Sequence, residues 1–169
     1  MTNDAWTAIA CTAALLASVG AGALVPGARW HGHAEPPARP ERIVSLALPA
    51  DEIVLALVEP SRVLALEEFV DDPVASNVVQ EARAVRGRLR QPITAEDVIA
   101  LEPDLVILPG WSDPQLGALI EHQGIAVHRL ASPSSLDEVR AQIRELGALL
   151  DEREGAERLV REMDARLDA

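Results

Sequence analysis

Hydrophobic residues in this chain fall into short unbroken runs that alternate with segments of helical periodicity. The clearest run is LVIL at residues 105–108, bounded by Pro109-Gly110 and preceded by a short helical segment that begins behind Thr94. Because this run does not alternate polar with apolar residues, it predicts a strand buried on both faces. A helix that leads directly into such a strand is half of a parallel α/β unit.

Other parts of the chain repeat this alternation. Apolar runs at residues 43–46, 63–66 and 125–130 predict further strands, and the less regular residues 71–89 are expected to hold one helix and a short strand. Helices are predicted after each of the main runs. The sequence therefore predicts an α/β fold: a three-layer, Rossmann-like lobe with a mainly parallel sheet and helices on both faces.

The predicted helices carry recognisable start signals and apolar faces. Asp51 and Glu52 fall in the first turn of one helix, where carboxylates interact well with the helix dipole. Ser135 and Glu138 have the spacing of a capping box before a long helix. In the two last helices, the residues expected to face inward are Leu136, Val139, Ile143, Leu146 and Leu150, then Ala156, Leu159, Val160, Met163 and Leu167. On the outside, Glu157/Arg161 and Glu162/Arg166 are expected to pair.

Composition narrows the classes of function. The 169 residues have room for about one domain, and a hydrophobic content of 49% is ample for a core. The net charge of −12 argues against a nucleic-acid partner. All basic residues are Arg, and the single cysteine, Cys11, allows neither an internal disulfide nor a zinc cluster of cysteines.

The first part of the chain is unlike the rest. Residues 1–28 contain a long uncharged apolar stretch that is typical of an export signal or a membrane anchor, although no basic residue precedes it. Residues 29–41 are interpreted as a proline-rich linker. His31 and His33 in this linker are interpreted as solvated rather than as a metal pair, because no further ligand cluster accompanies them.

An enzyme is not expected. The predicted folded part has no cysteine, no Gly-x-Ser-x-Gly motif and no glycine loop that would cradle phosphate after a strand. The adjacent acids Glu67-Glu68 and Asp71-Asp72 are interpreted as solvated loop residues rather than as a catalytic pair. Neither a cofactor nor a metal site is predicted.

Four segments carry a resemblance to a known family. RIVSLALPADEI at residues 42–53, AEDVIALEPDLVIL at 95–108, HQGIAVHRL at 122–130 and SSLDEVRAQIRELGALLDEREGAERL at 134–159 resemble, in this order, the substrate-binding proteins of ABC importers for iron-siderophores, haem and cobalamin. The resemblance covers about residues 41–169. It implies a periplasmic or lipid-anchored receptor with two lobes, in which the ligand is clasped between lobes joined by a rigid helix.

The chain departs from that family pattern in its extent. Residues 42–151 correspond to the amino-terminal lobe and residues 152–169 to the start of the inter-lobe helix, while a second lobe is not found. Either the chain is a fragment or another polypeptide supplies the other half. An apolar face left exposed on the last helix predicts dimerisation or aggregation.

Three residues are predicted to bind the ligand because of their place in the fold. Phe69 and Trp111 are the only aromatic residues beyond residue 30, and both follow predicted strands. Pro49 follows the first strand. Residues after parallel strands meet at the carboxyl edge of the sheet, where open α/β folds bind ligands.

The resemblance implies two further roles. Several family members hold an anionic siderophore by an arginine that precedes the helix at Ala95, and either Arg88 or Arg90 occupies that place here. Glu96 matches the acid by which the family docks on arginines of the membrane permease, although an acid in a first turn also favours its own helix dipole.

The expected partners are therefore a small-molecule metal chelate and an ABC permease, in a periplasmic or exported location. Ferric siderophores, haem and corrinoids are all compatible with this frame. Two alternatives stay open: a membrane-tethered, single-lobe interaction or sensor domain, and a non-functional truncated fragment.

Overall fold

The computed structural model describes residues 34–168, and its centre is a sheet of five parallel strands. The strand order is β3-β2-β1-β4-β5, with each neighbouring pair parallel. The strands are β1 (Ile43–Ser45), β2 (Val63–Glu67), β3 (Gly87–Leu89), β4 (Leu105–Pro109) and β5 (Ala126–Leu130). This arrangement confirms the predicted parallel α/β fold.

Helices cover both faces of the sheet. They are α1 (Leu48–Leu57), α2 (Val79–Ala82), α3 (Ala95–Ile99), α4 (Pro114–His122), α5 (Leu136–Leu149) and α6 (Arg153–Leu167). One apolar core joins β1 and β4 to α1, α2 and α5, and a second core joins the opposite face of the same strands to α3 and α4. Helix α6 packs outside α5 and α1. The result is the three-layer lobe that the sequence predicts.

The position of β4 explains why residues 105–108 form an unbroken apolar run. Its residues from Leu105 to Leu108 are all fully buried. Leu105 and Ile107 enter the core beneath α1 and α5, whereas Val106 and Leu108 enter the core beneath α3 and α4. A strand whose alternate side chains enter two different cores has no polar face.

Local signals set several helix ends. Thr94 caps α3 in a capping box with Asp97, each accepting a hydrogen bond from the other's backbone N–H. Ser135 Oγ accepts a bond from the N–H of Glu138, as its spacing predicts, while the carboxylate of Glu138 accepts from Ser134. After α4 the chain reverses at Gly124, whose φ of 78° is a left-handed conformation that glycine adopts without strain.

Helices α5 and α6 form an antiparallel hairpin. Arg140 pairs with Asp164 at 2.7 Å and Arg144 with Glu157 at 2.7 Å, so charged groups bridge the two helices along their exposed side. Gly147 permits the close crossing, since a Cβ at this position would collide with the Cβ of Ala156. Glu157, which was expected to pair within α6, therefore has its ion pair with the neighbouring helix instead.

Two leucines predicted to be buried are exposed. Leu136 is 51% exposed and Leu167 is 53% exposed. Leu136 is the first residue of α5 and Leu167 the last of α6, so both lie at the open end of the hairpin. Helical periodicity identifies the face of a helix that packs inward, but it does not show where the neighbouring helices stop covering that face.

A buried arginine connects three parts of the lobe. Arg62, just before β2, is 3% exposed. It donates to the carbonyl of Pro40 at 2.8 Å and to the carbonyl of Leu150 at 2.7 Å, and it pairs with Glu152 at 2.9 Å. Its guanidinium therefore links the segment before β1 to the connection between α5 and α6.

The predicted amino-terminal segments fall mostly outside the described part of the chain. The apolar stretch of residues 1–28, Cys11, His31 and His33 lie outside the described residues, as does the first part of the predicted linker. No helix within residues 34–168 has the length and apolar character needed to cross a membrane.

Candidate functional site

The carboxyl edge of the sheet brings four of the predicted ligand residues together. Arg90 follows β3, Phe69 follows β2, Pro49 lies in the first turn of α1 just after β1, and Trp111 follows β4. These are four neighbouring strands in the observed order. Because the strands are parallel, their following residues lie side by side along one edge.

The two aromatic side chains are exposed at this edge. Trp111 is 76% exposed and Phe69 is 48% exposed, so neither ring fills the interior of the lobe. The end of β1 lies between them, which separates the two strand ends by two strand spacings, roughly 10 Å. Pro49, also exposed, lies in that interval at the start of α1. Exposed rings on both sides of a strand end can contact a large planar or chelated ligand.

Arg88 is held inside the lobe by its own neighbours. Its guanidinium donates two bonds of 2.8 Å to the carboxylate of Asp71 and further bonds to the carbonyls of Val85, Gly87 and Ala82. The hydrogen bonds from Arg88 lower the pKa of Asp71 below its ordinary value. All three guanidinium nitrogens of Arg88 are therefore engaged in joining β3 to the segment after β2.

Arg90 is far more accessible than Arg88. Its side chain is 81% exposed and its nearest carboxylate partner is Glu68, at 3.8 Å. An exposed pair at that distance is weak. Of the two alternatives that the sequence leaves open, Arg90 is the one whose guanidinium is free to contact a ligand.

A polar cluster at the ends of β2 and β3 was not predicted as a site. Glu67 is only 7% exposed and accepts a bond of 3.1 Å from the side chain of Gln91, while Glu68 accepts from the Gln91 N–H at 3.1 Å. Burial raises the pKa of Glu67 above its ordinary value. The interpretation of Glu67 as a solvated loop residue was wrong, because it is the last residue of a buried strand.

Asp51 is the most unusual group near this edge. It is fully buried in the first turn of α1, close to Ser45 and Glu67. Neither carboxylate oxygen of Asp51, nor Ser45 Oγ, has a hydrogen-bond partner of good geometry among the described residues. Burial raises the pKa of Asp51 well above its ordinary value, and the nearby hydroxyl of Ser45 offsets this only in part.

The sequence does contain a signal for this burial. Ala47, Asp51, Val54 and Val58 are spaced by four, three and four residues, and the three apolar members of this set are buried. Asp51 therefore lies on the inward face of α1. Its position in the first turn was predicted, but the apolar face to which it belongs was not recognised.

Glu96 lies beside the same edge, in the first turn of α3. Its side chain is exposed, and within the described residues it has no hydrogen bond or ion pair. Its neighbour Asp97 is instead occupied by the backbone N–H and hydroxyl of Thr94. Of the two acids in this turn, Glu96 is the one available to a partner.

A largely apolar groove lies between α1, α5 and α6 and reaches the carboxyl edge at Pro49. It has a volume of about 410 Å³ and includes Pro49, Met163 and Leu167. The expected dimerisation through an exposed last helix concerns this groove, and it stays a prediction. No group of three or more His, Cys, Asp or Glu side chains within residues 34–168 could hold a metal ion.

Known proteins share both sequence and fold with this chain. Residues 43–169 match the sequence model of a family described as periplasmic binding protein. No curated protein matches the chain.

Three examples illustrate the solved structures that share this fold. A haem-binding protein from Pseudomonas aeruginosa is 24% identical with a TM-score of 0.64, over 76% of this chain and 45% of its own. An Fe³⁺-hydroxamate transport protein from Saccharomonospora viridis is 26% identical with a TM-score of 0.62, over 78% and 50%. A vitamin B12 binding protein from Vibrio cholerae is 26% identical with a TM-score of 0.61, over 78% and 50%. The present chain thus spans about half the length of the structures that it matches.

Proposed function

Because this chain belongs to the periplasmic binding protein family, we propose that it is a substrate-binding component of an ABC importer for a metal chelate. The ligand class is a ferric siderophore, haem or a cobalamin-like corrinoid, bound without chemical change. Matched structures that are named for haem, for an Fe³⁺-hydroxamate system and for vitamin B12 support this class. The proposed location is periplasmic or exported, with an amino-terminal membrane anchor as a variant.

The observation that carries the proposal is the exposed aromatic pair at the carboxyl edge. Phe69 and Trp111 flank the end of β1, and Pro49 lies between them. Exposing two aromatic side chains to water is unfavourable for a lobe that binds nothing, because each ring has a large apolar surface. A chelate placed over this edge would cover both rings and leave Arg90 within reach of its periphery.

Replacement of Trp111 by Ala tests this assignment. We expect affinity for the bound chelate to fall about tenfold, since a large aromatic contact is removed. Equilibrium dialysis of the full chain against a ferric trihydroxamate, haem and cyanocobalamin measures the affinity. Leu119→Ala is the matched control, because Leu119 is also exposed (54%) but lies on α4. Equal affinities for Trp111→Ala and wild type would contradict the site, and no binding of any chelate would contradict the function.

Glu96 provides a separate test of permease docking. We expect Glu96→Gln to leave chelate affinity unchanged and to lower chelate uptake by at least about fivefold, because an exposed interface charge is lost. Uptake is measured in vesicles that contain the reconstituted permease. Glu154→Gln is the control, since Glu154 opens α6 at the opposite edge of the lobe. Uptake that is lowered equally by both variants would show a general effect of charge rather than docking by Glu96.

A further inference from the structure

The charges along the carboxyl edge point to the kind of chelate that it accepts. Resemblance to the family suggests an arginine that holds an anionic ligand, and two arginines lie at this edge. Arg88 is already neutralised by Asp71, with two bonds of 2.8 Å. Arg90 remains accessible, but the carboxylate of Glu68 lies 3.8 Å from it and offsets its charge in part. Neither arginine gives this part of the edge a net positive charge.

Two further carboxylates at the same edge, those of Glu52 and Glu67, accept hydrogen bonds from neutral donors only. Glu52, in the first turn of α1, accepts from the backbone and side-chain amides of Asn77 at 3.2 Å. Glu67 accepts from the side-chain amide of Gln91. An amide satisfies hydrogen bonding but does not cancel charge, so the ends of β1 and β2 carry negative potential.

Buried polar atoms at the end of β1 also lack hydrogen-bond donors. Both oxygens of Asp51 and the hydroxyl of Ser45 are buried at the end of β1 without a hydrogen-bond partner of good geometry among the described residues. Buried polar atoms are nearly always paired in folded proteins. Because these atoms are fully buried, a bound water can reach them but a chelate over the edge cannot, so the acceptor that the chelate meets at the end of β1 is the half-buried Glu52.

Arg129 does not change this balance at β1 and β2. It lies on β5, beyond Trp111, and its guanidinium donates to Ser112 Oγ at 2.8 Å and approaches the carbonyl of Pro114. The guanidinium also covers Gly117 of α4, where a Cβ would collide with it. Its positive charge therefore lies on the α4 side of the lobe.

We infer that the carboxyl edge binds a chelate with no net negative charge, neutral or cationic, whose hydrogen-bond donors face the ends of β1 and β2. This inference rests on the proposed function and narrows it. Neutral corrinoids and neutral or ammonium-bearing ferric hydroxamates fit the edge. Ferric catecholates and haem, with its two propionates, do not.

A series of ligands with one chelate core and three charges tests the inference. The ferric complex of desferrioxamine B carries a terminal ammonium, its N-acetyl form is neutral and its N-succinyl form carries a carboxylate. We expect affinity to decrease in that order, by at least about threefold per unit of charge at low salt. The differences should narrow as ionic strength rises, because these charges are largely exposed. Equilibrium dialysis of the full chain measures all three affinities.

Substitutions identify the origin of the charge preference. We expect the double variant Glu52→Gln, Glu68→Gln to reduce the ratio of ammonium to succinyl affinity. Glu59→Gln is the matched control, because Glu59 precedes β2 and lies at the opposite edge of the sheet. A double variant that retains the wild-type ratio would overturn the assignment to this edge. Far-UV circular dichroism verifies that the variants fold.

The outcomes separate this inference from the proposed function. If the succinyl form binds as tightly as the ammonium form, or if haem binds and none of the three hydroxamates does, the charge inference is overturned while the importer function stands. If no hydroxamate, corrinoid or haem binds, the proposed function fails and the inference fails with it.

Discussion

Replacement of Arg62 by Ala is expected to destabilise the lobe by about 3 kcal/mol, because the variant leaves buried acceptors without their charged donor. Arg62 is 3% exposed and donates to the carbonyls of Pro40 and Leu150, both of which belong to buried residues. It also pairs with Glu152. No other described donor reaches these two carbonyls by side-chain bonding, so removal of the guanidinium separates β2 from the α5–α6 connection.

Urea unfolding followed by circular dichroism measures this loss. Arg90→Ala is the matched control, since its side chain is 81% exposed and its removal should change stability by less than about 0.5 kcal/mol. Arg62→Lys should recover less than half of the loss, because one ammonium cannot reproduce the planar fork that reaches three acceptors. If Arg62→Ala unfolds at the same urea concentration as Arg90→Ala, the connecting role of Arg62 is wrong.

Replacement of Asp51 by Asn is expected to stabilise the lobe at neutral pH by about 1–3 kcal/mol, because a buried carboxylate without a hydrogen-bond partner of good geometry is costly. Asp51 is fully buried, and that burial raises its pKa well above the ordinary value. Asn has nearly the same shape and carries no charge at any pH. A gain in stability from removing an acid would show that the carboxylate of Asp51 destabilises the native state.

The direction of the pH dependence follows from the raised pKa. In the folded state Asp51 keeps its proton to a higher pH than in the unfolded chain, where its pKa is about 3.9. The folded state therefore binds more protons above that value, and its stability decreases as pH rises towards the folded pKa. We expect wild type and Asp51→Asn to have similar stability near pH 4 and to diverge as pH increases.

Asp71 gives a control of opposite sign. Hydrogen bonds from Arg88 lower its folded pKa, so its contribution is present above the unfolded pKa and is lost as pH falls through the folded one. Asp71→Asn should therefore be less stable than wild type at neutral pH and should approach it in acid. If Asp51→Asn and Asp71→Asn change stability in the same direction at neutral pH, the account of Asp51 is wrong.

The fold could be predicted because its main signals are local in sequence. The run at residues 105–108 has no polar face, and it forms the strand whose side chains enter both cores. Thr94 and Ser135 act within a few residues of their own positions, so the helix starts that they set could be predicted. Parallel order then followed from the alternation of helices and strands.

The site could be predicted only in outline, because its chemistry depends on contacts between distant residues. Phe69 and Trp111 were predicted as candidates from their places after strands, and both are exposed at that edge. Arg88 is engaged by Asp71, whereas Arg90 is exposed. This difference depends on how the segment after β2 folds back on β3. The burial of Glu67 depends likewise on neighbouring strands, since an acid at a strand end has the same sequence signature whether it is covered or solvated.

The position of β1 at the centre of the sheet has a consequence for how the chain acquires its structure during synthesis. Ile43 pairs with Val63 on one side and with Leu105 on the other. The ribosome therefore delivers β1, β2 and β3 well before β4, and until then one side of β1 has unpaired backbone groups. Non-local pairing of this kind slows folding and exposes a strand edge to other nascent chains. The apolar run that makes β4 easy to recognise is therefore also the segment that must be synthesised before β1 can complete its pairing.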